Sequence, residues 1–216
     1  MSTVLAVIWD FGGVISSSPF ESFNRFESEQ GLPKDFLRTV NATNPHENAW
    51  AKLERSEFDA QAFDEAFAQE SRALGHEVRG SQVLPLLSGS IRPEMVEALR
   101  RISARLKTGC ITNNFKAMER SPMGGLYRVE IMNLFHHVIE SAKVGLRKPD
   151  PTIYRLMTDA LQVAPAACVY LDDLGINLKP ARDMGMRTIK VGDAAPALAQ
   201  LQDWVGFDLG AGSTAN

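Results

Sequence analysis

The sequence predicts an α/β fold in which helices cover both faces of a parallel sheet. Apolar runs of strand length recur along the chain, at 4–10, 106–112, 136–140, 168–172 and 187–191. Segments in which apolar residues have helical spacing lie between the later runs, at 93–106, 150–163 and 177–186. Because strands that alternate with helices pair in parallel, we expect one sheet whose strands are buried on both faces.

The predicted strands and helices also carry local signals at their ends. The first strand, "VLAVIWD", is apolar up to its last residue, Asp10, and two glycines follow it closely. The helix at 150–163 has Pro151 at its start, where the missing N–H of proline costs nothing. The helix at 177–186 is predicted despite Pro180 near its beginning.

Residues 16–88 interrupt the alternation of strands and helices. They contain no convincing strand, and their apolar residues indicate helices at 19–31, 34–42, 47–56 and 60–75. We therefore expect two parts. Residues 1–15 and 89–216 form the α/β domain, and residues 16–88 form a helical insertion after the first strand.

Composition excludes several classes of partner. The chain has 216 residues and a net charge of −3, which predicts no general attraction to nucleic acid or to an anionic membrane. No apolar run approaches the length of a membrane span, and no basic region precedes the first run. Cys110 and Cys168 both lie in apolar runs, so we expect buried thiols in a reducing, cytoplasmic setting.

Polar residues stand where several of the predicted strands end. Asp10 ends the first strand, residues 112–114 ("TNN") end the second, and Asp172 and Asp173 end the fourth. Lys148 lies in a loop just before a helix. Ligands of open parallel sheets bind beyond the carboxyl ends of the strands, so we expect these side chains to lie close together.

This set of side chains favours phosphoryl transfer. Three crowded carboxylates stay ionised only when a cation lies among them. Oxygen ligands without cysteine or histidine suit Mg²⁺, and a hydroxyl with a lysine suits phosphate oxygens. A carboxylate beside the phosphorus can act as a nucleophile and form an aspartyl-phosphate.

Four segments resemble, in order, the motifs of the haloacid dehalogenase-like (HAD) hydrolase superfamily. They are "VIWDFGGVI", "GCITNN", "GLRKPDPTIY" and "VYLDDLGINLKPARDMGMRTI". The last is most similar to the N-terminal phosphatase domain of soluble epoxide hydrolase and its bacterial relatives. The resemblance implies a Rossmann-like core with a helical cap between the first and second motifs, where residues 16–88 fall.

The resemblance also implies a set of metal ligands. Asp10 would be both the catalytic nucleophile and a ligand of Mg²⁺, and the backbone carbonyl of Gly12 would be a second ligand. Asp173 would bind the metal directly, and Asp172 directly or through water. Asn177 would orient the metal-bound waters or the pair of aspartates.

The same resemblance implies a phosphate site. Thr112 and Lys148 would be catalytic residues that hold the phosphate oxygens, and Lys148 would also screen the nucleophile. Asn113 would offer its backbone N–H, and Asn114 would complete the substrate-binding group. The implied substrate is a small phosphorylated metabolite that the cap encloses.

Gly12 departs from the pattern of most phosphatases in the superfamily, which carry a second aspartate there as general acid and base. General acid–base help contributes about 10²–10⁴ in rate. Three explanations stay open at this point. The leaving group needs little proton help, or the reaction is dehalogenation, or the protein binds without catalysis.

The dehalogenase explanation makes demands of its own. It needs a cap arginine, for which Arg38 is a candidate, and it fits poorly with the acidic pair Asp172 and Asp173. The acidic pair therefore favours a phosphatase. His46 and Glu47 of the cap are the candidates for a replacement acid.

Overall fold

The computed structural model describes residues 3–87, 89–115 and 125–210, with the side chains of 125–127 excepted. Its sheet has five parallel strands in the order β3-β2-β1-β4-β5. The strands are β1 (Ala6–Trp9), β2 (Lys107–Thr112), β3 (His137–Glu140), β4 (Cys168–Asp172) and β5 (Arg187–Lys190). The predicted α/β fold with a parallel sheet is therefore confirmed.

Helices fill the chain between the strands. Those between β1 and β2 are α1 (Phe20–Glu29), α2 (Phe36–Ala42), α3 (Ala49–Glu54), α4 (Ala60–Ala73), α5 (Gly80–Val83) and α6 (Pro93–Ser103). Those after β2 are α7 (Gly125–Met132), α8 (Ser141–Val144), α9 (Pro151–Leu161), α10 (Gly175–Asp183) and α11 (Ala194–Val205). Short 3₁₀ turns span Leu84–Leu87 and Pro165–Ala167. None of the helices described is long and apolar enough to cross a membrane.

The central strand β1 separates two hydrophobic clusters because its side chains alternate between the faces of the sheet. Val7 and Trp9 pack with residues of α6 and α11 on one face. Ala6 and Ile8 pack with residues of α9 and α10 on the other. Burial of each large apolar side chain contributes about 1.5–3 kcal/mol, so both layers hold β1 in place.

The two cysteines lie on the two strands that flank β1. Cys110 of β2 is opposite Trp9, and Cys168 of β4 is opposite Ala6. Both thiols are buried and free. One intervening strand keeps them at least about 9.6 Å apart, beyond the reach of a disulfide.

The helices between residues 20 and 87 have an apolar cluster of their own. Phe63 lies at its centre, with ring centroids 5.4 Å from Trp50 and 5.3 Å from Phe67. Among the residues that the structure describes, Phe115, which follows β2, joins this cluster from outside the segment. We call this helical group the cap.

Two chain segments join the cap to the sheet, and they run side by side. Ser16 and Ile91 form an antiparallel bridge. The N–H of Ser17 donates to the carbonyl of Ser90 at 2.7 Å. We propose that the boundary between the two parts lies at this crossing, with 1–15 and 89–216 on one side and 16–88 on the other.

Candidate active site

The carboxyl ends of the strands bring the predicted acidic residues together. Asp10 follows β1 directly, Asp172 ends β4, and Asp173 comes next. One carboxylate oxygen from each of the three lies within 4.8 Å of the others. Asp10 and Asp172 are buried and Asp173 is half-buried.

Lys148 is the cation at the centre of this group. Its Nζ lies 2.8 Å from Oδ2 of Asp10 and 2.8 Å from Oδ2 of Asp172. The side chain is only 1% exposed. Burial disfavours its ammonium form, but the charges of Asp10 and Asp172 outweigh burial and raise the pKa of Lys148. Lys148 is therefore a fixed positive charge between two carboxylates.

Asp172 is held by several donors besides Lys148. The Tyr170 hydroxyl donates to its Oδ2 at 2.5 Å, and the Leu174 N–H donates to its Oδ1 at 2.8 Å. The Asn177 amide donates to both oxygens, at 3.0 and 3.2 Å. With its lone pairs engaged in this way, Asp172 is better placed to organise the site than to bind a metal directly.

Asp10 and Asp173 are the carboxylates with capacity left for a ligand. Burial raises the pKa of Asp10 well above its usual value, and Lys148 opposes this effect. Burial and the charge of Asp172 raise the pKa of Asp173 to about 6. Three carboxylates face one ammonium here, so the oxygen-rich site fits a divalent cation such as Mg²⁺.

The adjacent glycines Gly12 and Gly13 have different surroundings. A Cβ on Gly12 would meet no atom within 4 Å, and its φ is not positive. A Cβ on Gly13 would lie 2.2 Å from Oδ2 of Asp173, and its φ is +74°. Gly13 is therefore required by the close approach to Asp173, whereas Gly12 leaves room for a side chain.

The polar residues at the end of β2 divide into two groups. Thr112 is buried and lines the cavity in front of Asp10. The Asn113 side chain instead holds the main chain of Lys148 on both sides: its Oδ1 accepts the Lys148 N–H at 2.9 Å, and its Nδ2 donates to the Lys148 carbonyl at 3.1 Å.

Asn114 is directed away from the acidic group. Its amide donates to Glu140 at 2.7 Å and accepts from the Ala142 N–H at 3.2 Å. Its own N–H donates to Ser141 at 2.9 Å. These bonds tie β2 to the end of β3, and the phosphate-binding role of Asn114 stays a prediction.

A cavity of about 1500 Å³ lies between the cap and the carboxyl ends of the strands. Its polar end contains Asp10, Thr112 and Lys148. Much of its remaining wall is apolar and includes Phe20, Phe23, Trp50, Leu84, Leu87, Ile91, Phe115 and Met132. Arg38 and His46 also line it, whereas Glu47 is absent from the lining in the described part of the chain.

Several residues of the site were not predicted from the sequence. Tyr170 lies two positions before Asp172 in a strand, and this spacing places both side chains on one face. Ser18 donates to Asp173 at 3.4 Å, and Glu54 of the cap accepts from Asn113 at 3.2 Å. The spacing in β4 could have identified Tyr170, but Ser18 and Glu54 carry no comparable local signal.

Comparison with known proteins identifies the family. A model described as haloacid dehalogenase-like hydrolase matches residues 4–185. The chain belongs to this hydrolase family. Bifunctional epoxide hydrolase 2 of Mus musculus is 33% identical over an alignment of 211 residues, and the match covers 92% of this hydrolase and 38% of the mouse protein. The chain therefore spans less than half the length of that relative.

Two solved structures share the fold of this chain. A HAD family enzyme of Bacteroides thetaiotaomicron, in complex with magnesium and inorganic phosphate, has a TM-score of 0.60 and 16% identity over 88% of this hydrolase and 96% of that chain. An L-2-haloacid dehalogenase of Xanthobacter autotrophicus has a TM-score of 0.61 and 19% identity. The match covers 99% of this hydrolase and 85% of the dehalogenase chain. The shared fold leaves the reaction to be decided by the residues of the site.

Proposed function

We propose that this hydrolase is a Mg²⁺-dependent phosphatase that acts on small phosphate monoesters through an aspartyl-phosphate. The observation that carries the proposal is the position of Lys148, 2.8 Å from both Asp10 and Asp172, with Asp173 beside them. The three carboxylates suit a cation, and the lysine suits a phosphate oxygen.

In the first half of the reaction, a carboxylate oxygen of Asp10 attacks the phosphorus, and the bond from phosphorus to the leaving oxygen breaks. In the second half, water attacks the phosphorus, and the bond to Asp10 breaks to give inorganic phosphate and a free carboxylate. Lys148 and Thr112 hold the phosphate oxygens throughout, together with the backbone N–H of Asn113.

Asp10, Asp173 and the carbonyl of Gly12 would hold the Mg²⁺, with Asp172 acting through water. The bound ion would supply positive charge where negative charge grows on the phosphoryl group. Asn177 fixes Asp172 through two hydrogen bonds, at 3.0 and 3.2 Å, and so keeps Lys148 centred.

The leaving group has to satisfy two features of the site. Glycine at position 12 donates no proton, so an aryl, acyl or enol oxygen leaves more readily than an alkoxide. The cavity, at about 1500 Å³, is larger than a typical small-molecule site and largely apolar. Both features favour phosphate esters with apolar, weakly basic leaving groups.

Phosphate release from an aryl phosphate tests the proposal. We expect turnover with Mg²⁺, none in EDTA, recovery when Mg²⁺ is restored, and none in Asp10→Asn. The matched alternative assay uses 2-haloacids without Mg²⁺, because Arg38 lines the cavity as a dehalogenase would require. Halide release that persists in EDTA would refute the phosphatase.

A further inference from the structure

A buried carboxylate of the cap bonds to the loop that carries Lys148. Glu54 is the last residue of α3 and is 7% exposed. Its Oε2 accepts from the Asn113 amide at 3.2 Å and from Nε of Arg147 at 2.6 Å. Its Oε1 accepts from the Trp50 indole at 3.0 Å. These two partners of Oε2 are sequence neighbours of the proposed phosphate-binding residues: Asn113 follows Thr112, and Arg147 precedes Lys148.

The Asn113 amide has little freedom in this arrangement. Its two N–H groups donate to the Glu54 carboxylate and the Lys148 carbonyl, and its oxygen accepts the Lys148 N–H. If the amide were flipped, its oxygen would face the Glu54 carboxylate and the Lys148 carbonyl. Neither group can donate a hydrogen bond, so the flipped orientation is unfavourable. Glu54 therefore helps to fix the orientation in which Asn113 clamps Lys148.

The Asn113 side chain holds the main chain of Lys148, and this fixes the point from which the Lys148 side chain extends. From this clamped main chain the Lys148 side chain extends to Asp10 and Asp172, and its Nζ lies 2.8 Å from a carboxylate oxygen of each. Arg147 adds a second link to the cap, because its guanidinium donates to the Pro45 carbonyl at 2.8 Å. The cap therefore contacts the lysine loop in two ways. It bonds directly to Arg147, and it bonds to Lys148 indirectly, through the side chain of Asn113.

We propose that Glu54 is a positioning residue that couples the docked cap to the placement of Lys148 through the Asn113 amide. The kinetic part of this proposal rests on the phosphatase function proposed above. Glu54 acts on catalysis through Lys148 and touches neither the phosphorus nor the leaving oxygen.

Ser56 provides a matched control from the same part of the cap. Its hydroxyl donates to the Ala142 carbonyl at 2.9 Å, which is also a bond between cap and core. Neither partner of this bond hydrogen-bonds to Asn113 or Lys148 in the described part of the chain. Ser56→Ala therefore loosens the cap without disturbing the clamp, whereas Glu54→Gln removes the charge that Asn113 and Arg147 face.

Hydrogen exchange at the Lys148 amide tests the coupling without any substrate. We expect Glu54→Gln to speed exchange there by about tenfold, because the amide opens more often once its clamp is weaker. Ser56→Ala should leave this rate at the wild-type value. Unchanged exchange in Glu54→Gln, or equal acceleration in both variants, would overturn the proposal.

Kinetics with para-nitrophenyl phosphate supply the second readout. We expect kcat to fall about 10- to 100-fold in Glu54→Gln, since a misplaced catalytic group costs rate. The KM should rise by a smaller factor than kcat falls, because Lys148 contributes to phosphate binding in the ground state but Thr112 still holds the phosphate. A higher KM with unchanged kcat would mean that Glu54 contacts substrate, which contradicts the proposal.

Two further measurements cover the cases in which Glu54→Gln folds poorly or the wild type has no phosphatase activity. If Glu54→Gln folds poorly, the double variant Glu54→Gln with Arg147→Met removes both members of this partly buried ion pair and leaves no lone charge. It should show the same faster exchange at Lys148. If the wild type releases no phosphate, the phosphatase proposal fails, while the exchange experiment still decides whether Glu54 holds Lys148.

Discussion

Replacement of Gly12 by aspartate should convert this hydrolase into an enzyme that cleaves unactivated alkyl phosphates. The site has room for the change, because a Cβ at Gly12 meets no atom within 4 Å and the backbone φ is not positive. The new carboxyl group would lie near Asp10, among groups of like charge. In its protonated form this carboxyl group would donate to a leaving alcohol, which glycine cannot do.

The expected gain follows from the chemistry that glycine lacks. A positioned general acid contributes about 10²–10⁴ in rate, or about 2.7–5.4 kcal/mol of barrier. The substitution meets no steric obstacle, so the free energy of unfolding should change by less than about 1 kcal/mol. Almost all of the gain should appear with alkyl phosphates, because aryl oxygens leave without proton transfer.

The assay compares kcat/KM for an alkyl and an aryl phosphate in wild type, Gly12→Asp and Gly12→Asn. Asparagine matches the shape of aspartate but donates no comparable proton, and Asp10→Asn serves as the blank. Equal rates for alkyl and aryl phosphates in the wild type would refute the reasoning. Another group, with His46 the first candidate in the cavity, would then be the proton donor.

Three other substitutions have expected outcomes. Gly13→Ala should lower the free energy of unfolding by about 1–3 kcal/mol in urea titration, because its φ is +74° and its Cβ would meet Asp173; an unchanged midpoint would contradict this. Asp173→Asn should weaken Mg²⁺ binding by at least about tenfold in calorimetry. Its melting temperature without Mg²⁺ should not fall, because the fold already raises the pKa of Asp173 to about 6 and disfavours its charge. Tyr170→Phe should cost about 1.5–3 kcal/mol of unfolding free energy, since it removes a donor from the buried Asp172 carboxylate; a cost below about 0.5 kcal/mol would show that this bond contributes little.

The elements that place the acidic residues could be predicted because their signals are local. Continuous apolar runs identified the strands, and the polar residue that ended each run identified the edge where Asp10 and Asp172 meet. The order of the strands could not be predicted from these runs, since apolar composition alone carries no pairing information.

The bonds between cap and core could not be predicted in the same way. Glu54 lies on a short helix, where a glutamate is most often solvated, and its partners Asn113 and Arg147 are remote in sequence. Asn113 and Asn114 are adjacent and chemically identical, yet one clamps Lys148 and the other ties β2 to β3. Only the direction in which each side chain leaves the backbone distinguishes them.

The side-by-side passage of the chain at Ser16 and Ile91 has a consequence for how such an enzyme could diversify. Because the entry and exit of residues 16–88 are neighbours, an insert of any length fits between them without stretching or shifting the sheet. Insertions with adjacent ends are well tolerated by folded domains. A lineage could therefore exchange the whole cap while the acidic residues and Lys148 at the carboxyl ends of the strands stay untouched.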